Sequence, residues 1–280
     1  MTSSPAPALA VGQMTSGADV DDNVAACARL AAAARARGAA LLVLPECFAF
    51  MGRGDGETAQ IMEPLAGPLL GRFRQIAVDH GLWIAFGGFP ERASATHAYN
   101  AHVVVDDQGA IRAVYRKIHL FDVEIGVSSY QESKSTAAGS ELVVCDSPVG
   151  SLGLSVCYDL RFPELYRSLA GLDAAVLLVP AAFTLVTGKE HWEPLLRARA
   201  IENQCYVAAA AQQGRHNDKR DTYGHAMIID PWGTVVAQAR DGEGVAVAEI
   251  DAAWLQKVRA RIPVWRHRRP ELYRQRDPQL

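Results

Sequence analysis

Three times along this chain a helix-patterned stretch rich in alanine or leucine runs into a glycine and then into a short apolar run. The segments are DDNVAACARLAAAARARGAALLVLPE, GPLLGRFRQIAVDHGLWIAFGGF and PELYRSLAGLDAAVLLVP. In each, the glycine fits the left-handed residue that closes a helix, and the run after it is too short for a helix but right for a buried strand. This alternation predicts an α/β fold. Two further segments, AHVVVDDQGAIRAVYRKIHLF and HAMIIDPWGTVVAQA, set strand-like runs around D-D-Q-G and D-P-W-G, where glycine supplies positive φ. They predict antiparallel hairpins. Crossovers and hairpins in one chain predict a mixed sheet, or two sheets packed together, with helices on the outer faces. The recurring pattern is irregularly spaced, so it is architecture and not a solenoid repeat. With no linker or break in composition, residues 1–280 read as a single domain, residues 255–280 being a C-terminal helix and tail.

Composition removes several classes of function. A net charge of −3, from 28 basic and 31 acidic residues interspersed along the chain, gives no electrostatic footprint for nucleic acid. The basic stretch RARIPVWRHRRPELYRQR reads as a solvated helix end. No apolar run approaches a bilayer span, and the first residues lack a secretory pattern, so a cytoplasmic protein without membrane contact is expected. Five cysteines, widely spaced and with no C-x-x-C pair, argue against a disulfide framework or a zinc knuckle.

Three reactive side chains stand where strands run out. ALLVLPE ends on Pro45, which cannot continue a central ladder, and Glu46; AIRAVYRK ends on Lys117; LGLSVC ends on Cys157, before a turn and a helix opened by Pro163. Ligand sites in open α/β sheets form beyond strand ends, which allows the three to share one mouth. Backbone N–H groups at such a strand-turn-helix junction favour a thiolate and a developing oxyanion. Cys157 is therefore a candidate nucleophile, although burial as an inert thiol accounts for many cysteines. Glu46, if enclosed beside Cys157, is expected to have a raised pKa suited to taking and returning a proton. Lys117 offers a fixed positive charge, or is one half of an exposed basic pair with Arg116. His119, His191 and His225 leave a Cys-His dyad open. Cys47, directly after Glu46, is placed to line the site and would be the resolving thiol of a redox protein. The metalloprotease, Walker, nucleophile-elbow and dinucleotide motifs are all absent. The residues alone thus indicate a thiol hydrolase or acyltransferase.

LLVLPECF, YRKIHLFD and GLSVCYDLRFPELYR resemble the three signature blocks of the nitrilase superfamily of carbon-nitrogen hydrolases, in the same order. HLFDVEI, QESKSTAAG, the stretch from TGKEHWEP to DPWG, and IPVWRHRRPELY are similar to the branch of amidases that act on deaminated glutathione, close to the ω-amidases. The resemblance implies a four-layer αββα sandwich of two mixed sheets with helices outside, assembled as a homodimer or higher oligomer. It implies Glu46 as general base and acid, Lys117 as electrostatic stabiliser and Cys157 as nucleophile. It further implies Glu132 beside the lysine and the Tyr158 backbone N–H in the oxyanion hole. The wording VEIGVSSYQES departs from the family between Lys117 and Glu132, leaving the path of that loop open.

On this resemblance the expected reaction is hydrolysis of deaminated glutathione to 2-oxoglutarate and cysteinylglycine through a thioester on Cys157, with no cofactor and no metal. An ω-amidase acting on 2-oxoglutaramate or 2-oxosuccinamate is the nearest rival, and a non-enzymatic dimeric scaffold a more distant one. The expected substrate is a small amide carrying two carboxylates, so cations matter: Arg161, Arg215, His216, Lys219 and Arg220 are available near the rim. Of these, Arg161 and Arg215, with Phe183, Thr187 and His191, are the expected substrate-binding residues. Trp192 fits either a pocket wall or helix packing.

Overall fold

A computed structural model of the chain describes residues 6–53, 57–125 and 128–273. Strand β1 (Ala8–Met14) leads through helix α1 (Val20–Ala36) to β2 (Ala39–Leu44), and α2 (Pro68–His80) leads to β3 (Trp83–Arg92). β4 (Ala98–Val105) and β5 (Ile111–Arg116) return as an antiparallel pair. A ribbon of β6 (Asp122–Ile125) and β7 (Ser128–Gln131) follows, then the short strands β8 (Thr136–Ala137) and β9 (Val144–Cys145). The second half runs β10 (Leu152–Leu154), α3 (Pro163–Gly171), β11 (Val176–Leu178), α4 (Leu185–Asn203) and β12 (Tyr206–Ala209). It continues with β13 (Ala211–Asn217), β14 (Arg220–Tyr223), β15 (Met227–Ile229), β16 (Val235–Gln238) and β17 (Gly244–Glu249). Helices α5 (Ala252–Arg261), α6 (Val264–His267) and α7 (Pro270–Tyr273) end the described chain.

The strands form two mixed sheets. The larger runs β14-β13-β1-β2-β3-β4-β5, with β17 added at β1 and β8 at β4; the smaller runs β16-β15-β12-β11-β10-β9. Strand alternation explains why the two sheets stack. Leu9, Val11, Leu41 and Val43 point into a core shared with Leu152, Leu154, Val176 and Leu178 of the smaller sheet. Ala10, Leu42 and Leu44 point the other way, onto Ala26, Leu30 and Ala34 of α1 and Leu70 and Phe73 of α2. Being apolar on both faces, these strands can only be central, and helices must close the outside. α3 and α4 cover the far face of the smaller sheet, packing on β10 and β12. The αββα sandwich expected from the sequence is therefore what the chain forms.

Local signals account for the helix ends. The Asp19 side chain accepts from the Asp21 and Asp22 N–H groups at the start of α1, and Pro68 and Pro163 stand in the first turns of α2 and α3. Gly38 and Gly81 take positive φ after α1 and α2, as expected. The third glycine of the pattern does not. Gly171 lies in the last turn of α3, and Asp173 (φ 64°) takes the left-handed position instead. Both expected hairpins form, β4 with β5 and β15 with β16. The departing segment between Lys117 and Glu132 includes the β6–β7 ribbon, residues 126–127 lying outside those described. Among the described residues no helix is long and apolar enough to cross a membrane.

Candidate active site

Glu46, Lys117, Cys157, Ala182 and Arg220 come from different strand ends, and all line one cavity of about 670 Å³, within the range of ligand sites. β2 stops at Leu44, and the chain turns through Pro45 to deliver Glu46. Phe48, just beyond, anchors this turn by packing its ring 4.8 Å from Phe73 and 5.2 Å from Phe86. Lys117 follows the last residue of β5, and its backbone N–H still bonds to the Asn100 carbonyl at 3.0 Å. Cys157 opens the short 3-10 turn Cys157–Arg161 that joins β10 to α3. Its φ of 49° is unusual for a residue with a Cβ and is held by a bond from its N–H to the Pro180 carbonyl at 2.9 Å.

Lys117 is the electrostatic centre. Its ammonium donates to Glu46 Oε1 at 2.9 Å and to Glu132 at 2.8 Å (Oε2) and 3.1 Å (Oε1). Lys117 and Glu46 are 2% and 3% exposed, so the pair is withdrawn from water. Asn100 Nδ2 donates to both carboxylates, at 2.9 Å to Glu46 and 3.2 Å to Glu132. The other oxygen of Glu46 accepts from the Ala182 N–H at 3.0 Å, and Glu132 Oε2 accepts from the Phe121 N–H at 2.7 Å. Close approach needs Gly88: a Cβ there would meet Asn100 Oδ1 at 2.6 Å and Glu46 Cγ at 3.2 Å.

Burial alone would push the Glu46 carboxyl up. The Lys117 charge, the neighbouring Cys157 thiol and the hydrogen bond from Lys117 outweigh it, and the net direction is down. The rise expected from the sequence is thus reversed, because enclosure brought an ammonium as well as desolvation. Burial and the Glu46 charge push the Cys157 thiol well above its ordinary value, with Lys117 pulling the other way. Lys117 itself loses hydration, yet Glu132, Glu46 and Cys157 hold its pKa well above the ordinary lysine value. The resting site is therefore a neutral thiol beside a carboxylate and an ammonium. A backbone N–H, that of Ala182, does favour the Cys157 thiolate, but burial and the Glu46 charge outweigh it, so the thiolate expected from the turn is not the resting form. Among the described residues the Tyr158 N–H has no protein acceptor.

Of the expected substrate-binding residues, Arg161, Phe183 and Thr187 line the cavity and His191 and Arg215 do not. His191 Nδ1 lies 3.1 Å from the Arg161 guanidinium, and Arg215 turns to Asp218 at 2.9 Å. Lys219 and Arg220 line the cavity, whereas His216 is held by the Ser16 carbonyl and the Thr222 hydroxyl. Burial opposes the charge of Arg220, but Cys47, Glu46, Cys157 and Glu132 raise its pKa. Trp192 is fully buried, donates to the His225 carbonyl at 2.9 Å and packs 4.9 Å from the Phe183 ring. Among the described residues no histidine pairs with Cys157: His119 bonds to Asp159, and His225 Nδ1 to the Tyr223 carbonyl. Cys47 lines the cavity, but burial pushes its thiol up to about 12, and all five cysteines are free. Among the described residues no group of three or more His, Cys, Asp or Glu side chains is arranged to hold a metal ion.

Sequence reasoning did not single out Asn100, the Ala182 N–H or Asp159. Asn100 left one signal, a polar side chain in the strand AYNAHVVV.

The carbon-nitrogen hydrolase family model matches residues 8–260. The deaminated glutathione amidases of Homo sapiens and Bos taurus are 50% and 49% identical over 273 residues. Those matches cover 95% of this chain and 84% and 83% of the two relatives. The crystal structure of the C. elegans NitFhit protein superimposes with a TM-score of 0.90 at 43% identity, over 96% of this chain and 66% of that one.

Proposed function

The chain belongs to the carbon-nitrogen hydrolase family, and from that premise we propose that it is an amidase that hydrolyses deaminated glutathione to 2-oxoglutarate and cysteinylglycine. The names of the human and bovine relatives support the substrate. The chemistry rests on one observation: the buried 2.9 Å contact between Lys117 and Glu46 opens onto the same cavity as Cys157.

In this mechanism the Glu46 carboxylate takes the Cys157 proton as the sulfur attacks the amide carbonyl. A thiol held neutral until attack suits a carboxylate held ionised by Lys117. The Lys117 ammonium and the Tyr158 N–H receive the charge that develops on the carbonyl oxygen. Glu46 then protonates the departing amine, leaving a thioester; in the second half it takes a proton from the attacking water and returns it to the Cys157 sulfur as the acid is released. Glu132 and Asn100 hold Lys117 and Glu46 in register throughout. Every group in the scheme is a side chain or backbone N–H of this chain.

Two carboxylates on the substrate call for cations in the cavity, and we assign Arg220 and Arg161 to them in place of Arg215. Arg161 lies 5.3 Å from the centre of the Phe183 ring, which braces its guanidinium. The resemblance further implies a homodimer, which light scattering would measure. Five free cysteines suit the reducing cytoplasm.

The test is release of 2-oxoglutarate in a coupled dehydrogenase assay, run with deaminated glutathione and with 2-oxoglutaramate. A higher kcat/KM on deaminated glutathione is expected. The reverse order would make the protein an ω-amidase, and no release from either would remove the amidase reading.

A further inference from the structure

Asp159 is a fully buried carboxylate two residues after the nucleophile, and among the described residues no lysine or arginine pairs with it. Its Oδ2 accepts from the Tyr115 hydroxyl at 2.7 Å and from the Val156 N–H at 2.8 Å. Its Oδ1 accepts from His119 twice, through the backbone N–H at 3.2 Å and through Nδ1 at 2.7 Å. The Tyr115 hydroxyl in turn accepts from the Ile118 N–H at 3.2 Å. Four donors thus converge on one buried side chain, two on each of its oxygens.

The two sets of donors belong to different sheets. Val156 sits at the turn that carries Cys157 beyond β10, in the smaller sheet. Tyr115, in β5, and Ile118 and His119, just beyond it, flank Lys117 at the edge of the larger sheet. β5 pairs with β4 and β10 with β9 and β11, so among the described residues no backbone ladder joins the two strand ends. The carboxylate spans that gap. Replacing buried hydrogen-bonded partners by apolar groups of the same shape can be nearly neutral for stability, so their use here points to geometry.

We propose that Asp159 is a positioning residue that fixes the nucleophile's turn to the lysine's loop and so sets the distance between Cys157 and Lys117. This rests on the reading of Cys157 and Lys117 given above. None of Asp159, Tyr115 and His119 lines the cavity, so the network acts on the reacting groups and not on substrate affinity. A misplacement of about 1 Å between reacting groups costs on the order of a hundredfold in rate.

The test measures steady-state kinetics, the rate of Cys157 alkylation by iodoacetamide and the thermal midpoint in Asp159→Asn and Tyr115→Phe, with Cys157→Ala beside them. Tyr115→Phe keeps the ring and removes only the tie from the lysine side. Asp159→Asn is expected to lower kcat by about a hundredfold and Tyr115→Phe by about tenfold. KM should stay within about threefold and alkylation should slow in parallel, whatever the change in thermal midpoint. A kcat within about threefold of wild type in Asp159→Asn, or a loss confined to KM, overturns the proposal. If Asp159→Asn does not fold, Tyr115→Phe decides by the same criteria. Turnover by Cys157→Ala would overturn the nucleophile assignment and this inference together. An inactive Cys157→Ala beside a fully active Asp159→Asn would overturn this inference alone.

Discussion

The Lys117 ammonium stands 2.9 Å from Glu46 Oε1 in a place almost closed to water, and each group sets the protonation state of the other. With Glu132 on its other side, Lys117 offsets two carboxylates. Removing it leaves both without their cation, and breaking a buried pair from one side costs about 3–5 kcal/mol. Lys117→Met should therefore unfold at lower denaturant concentration as well as lose activity. Chemical denaturation checks this, and a stability within about 1 kcal/mol of wild type would mean that the two carboxylates find other partners.

Glu46→Gln separates shape from proton transfer. Glutamine keeps an oxygen for the Ala182 N–H or for Lys117, so the loop should stay in place. On the proposed mechanism this removes the general base, and kcat should fall by about 10²–10⁴-fold. Because Glu46 also raises the thiol, Cys157 should ionise at lower pH in the variant. The pH dependence of iodoacetamide alkylation reads that shift, and an unchanged or higher apparent pKa would contradict it.

The catalytic candidates were legible because strand ends leave local marks: a proline after an apolar run at Glu46, a hairpin strand running out at Lys117, an apolar run breaking at Cys157. Helix-glycine-strand alternation was legible for the same reason, even where Asp173 replaced Gly171 at the left-handed position. What could not be read are the contacts that topology makes. Asn100 meets Glu46 across 54 residues and the Ala182 N–H meets it across 136. The pKa of Glu46 went the other way because its main partner, Lys117, is 71 residues distant and burial was the only visible influence. Arg220 and Arg215 are equivalent as letters in GRHNDKRD, and only the β13–β14 hairpin turns one inward.

His102 ties the segment before Cys157 to β4: its Nδ1 donates to the Ser155 carbonyl at 2.9 Å, two residues before Cys157. Burial pushes its pKa down to about 4, against smaller raising effects of the Ser155 carbonyl and Asp159. The folded form keeps His102 neutral while the unfolded chain takes up a proton below about pH 6.5. The stability is thus fully present above that pH and is lost as pH falls toward 4, by up to roughly 3 kcal/mol. His102→Gln should flatten the decline of unfolding free energy between pH 6.5 and 4 relative to wild type. Parallel curves for the two proteins would show that His102 does not titrate on unfolding.

Arg220 begins β14 on the cavity wall, and its charge is felt by Glu46, Cys157 and Glu132. A guanidinium in that place serves either the internal charge balance or a substrate carboxylate, and the two roles separate by substrate. Hydrogen bonds to charged groups contribute about 1.5–3 kcal/mol, which is about ten- to hundredfold in affinity. With deaminated glutathione, Arg220→Met should lower kcat/KM by that factor. With a simple amide that has no carboxylate, kcat/KM should stay within about threefold of wild type, since the variant leaves Glu46, Lys117 and Cys157 in place. Arg220→Lys should recover only part of the loss, because an ammonium cannot make the paired contact of a guanidinium. Equal losses on both amides would make Arg220 part of the internal charge balance and leave the substrate carboxylates to Arg161 or Lys219.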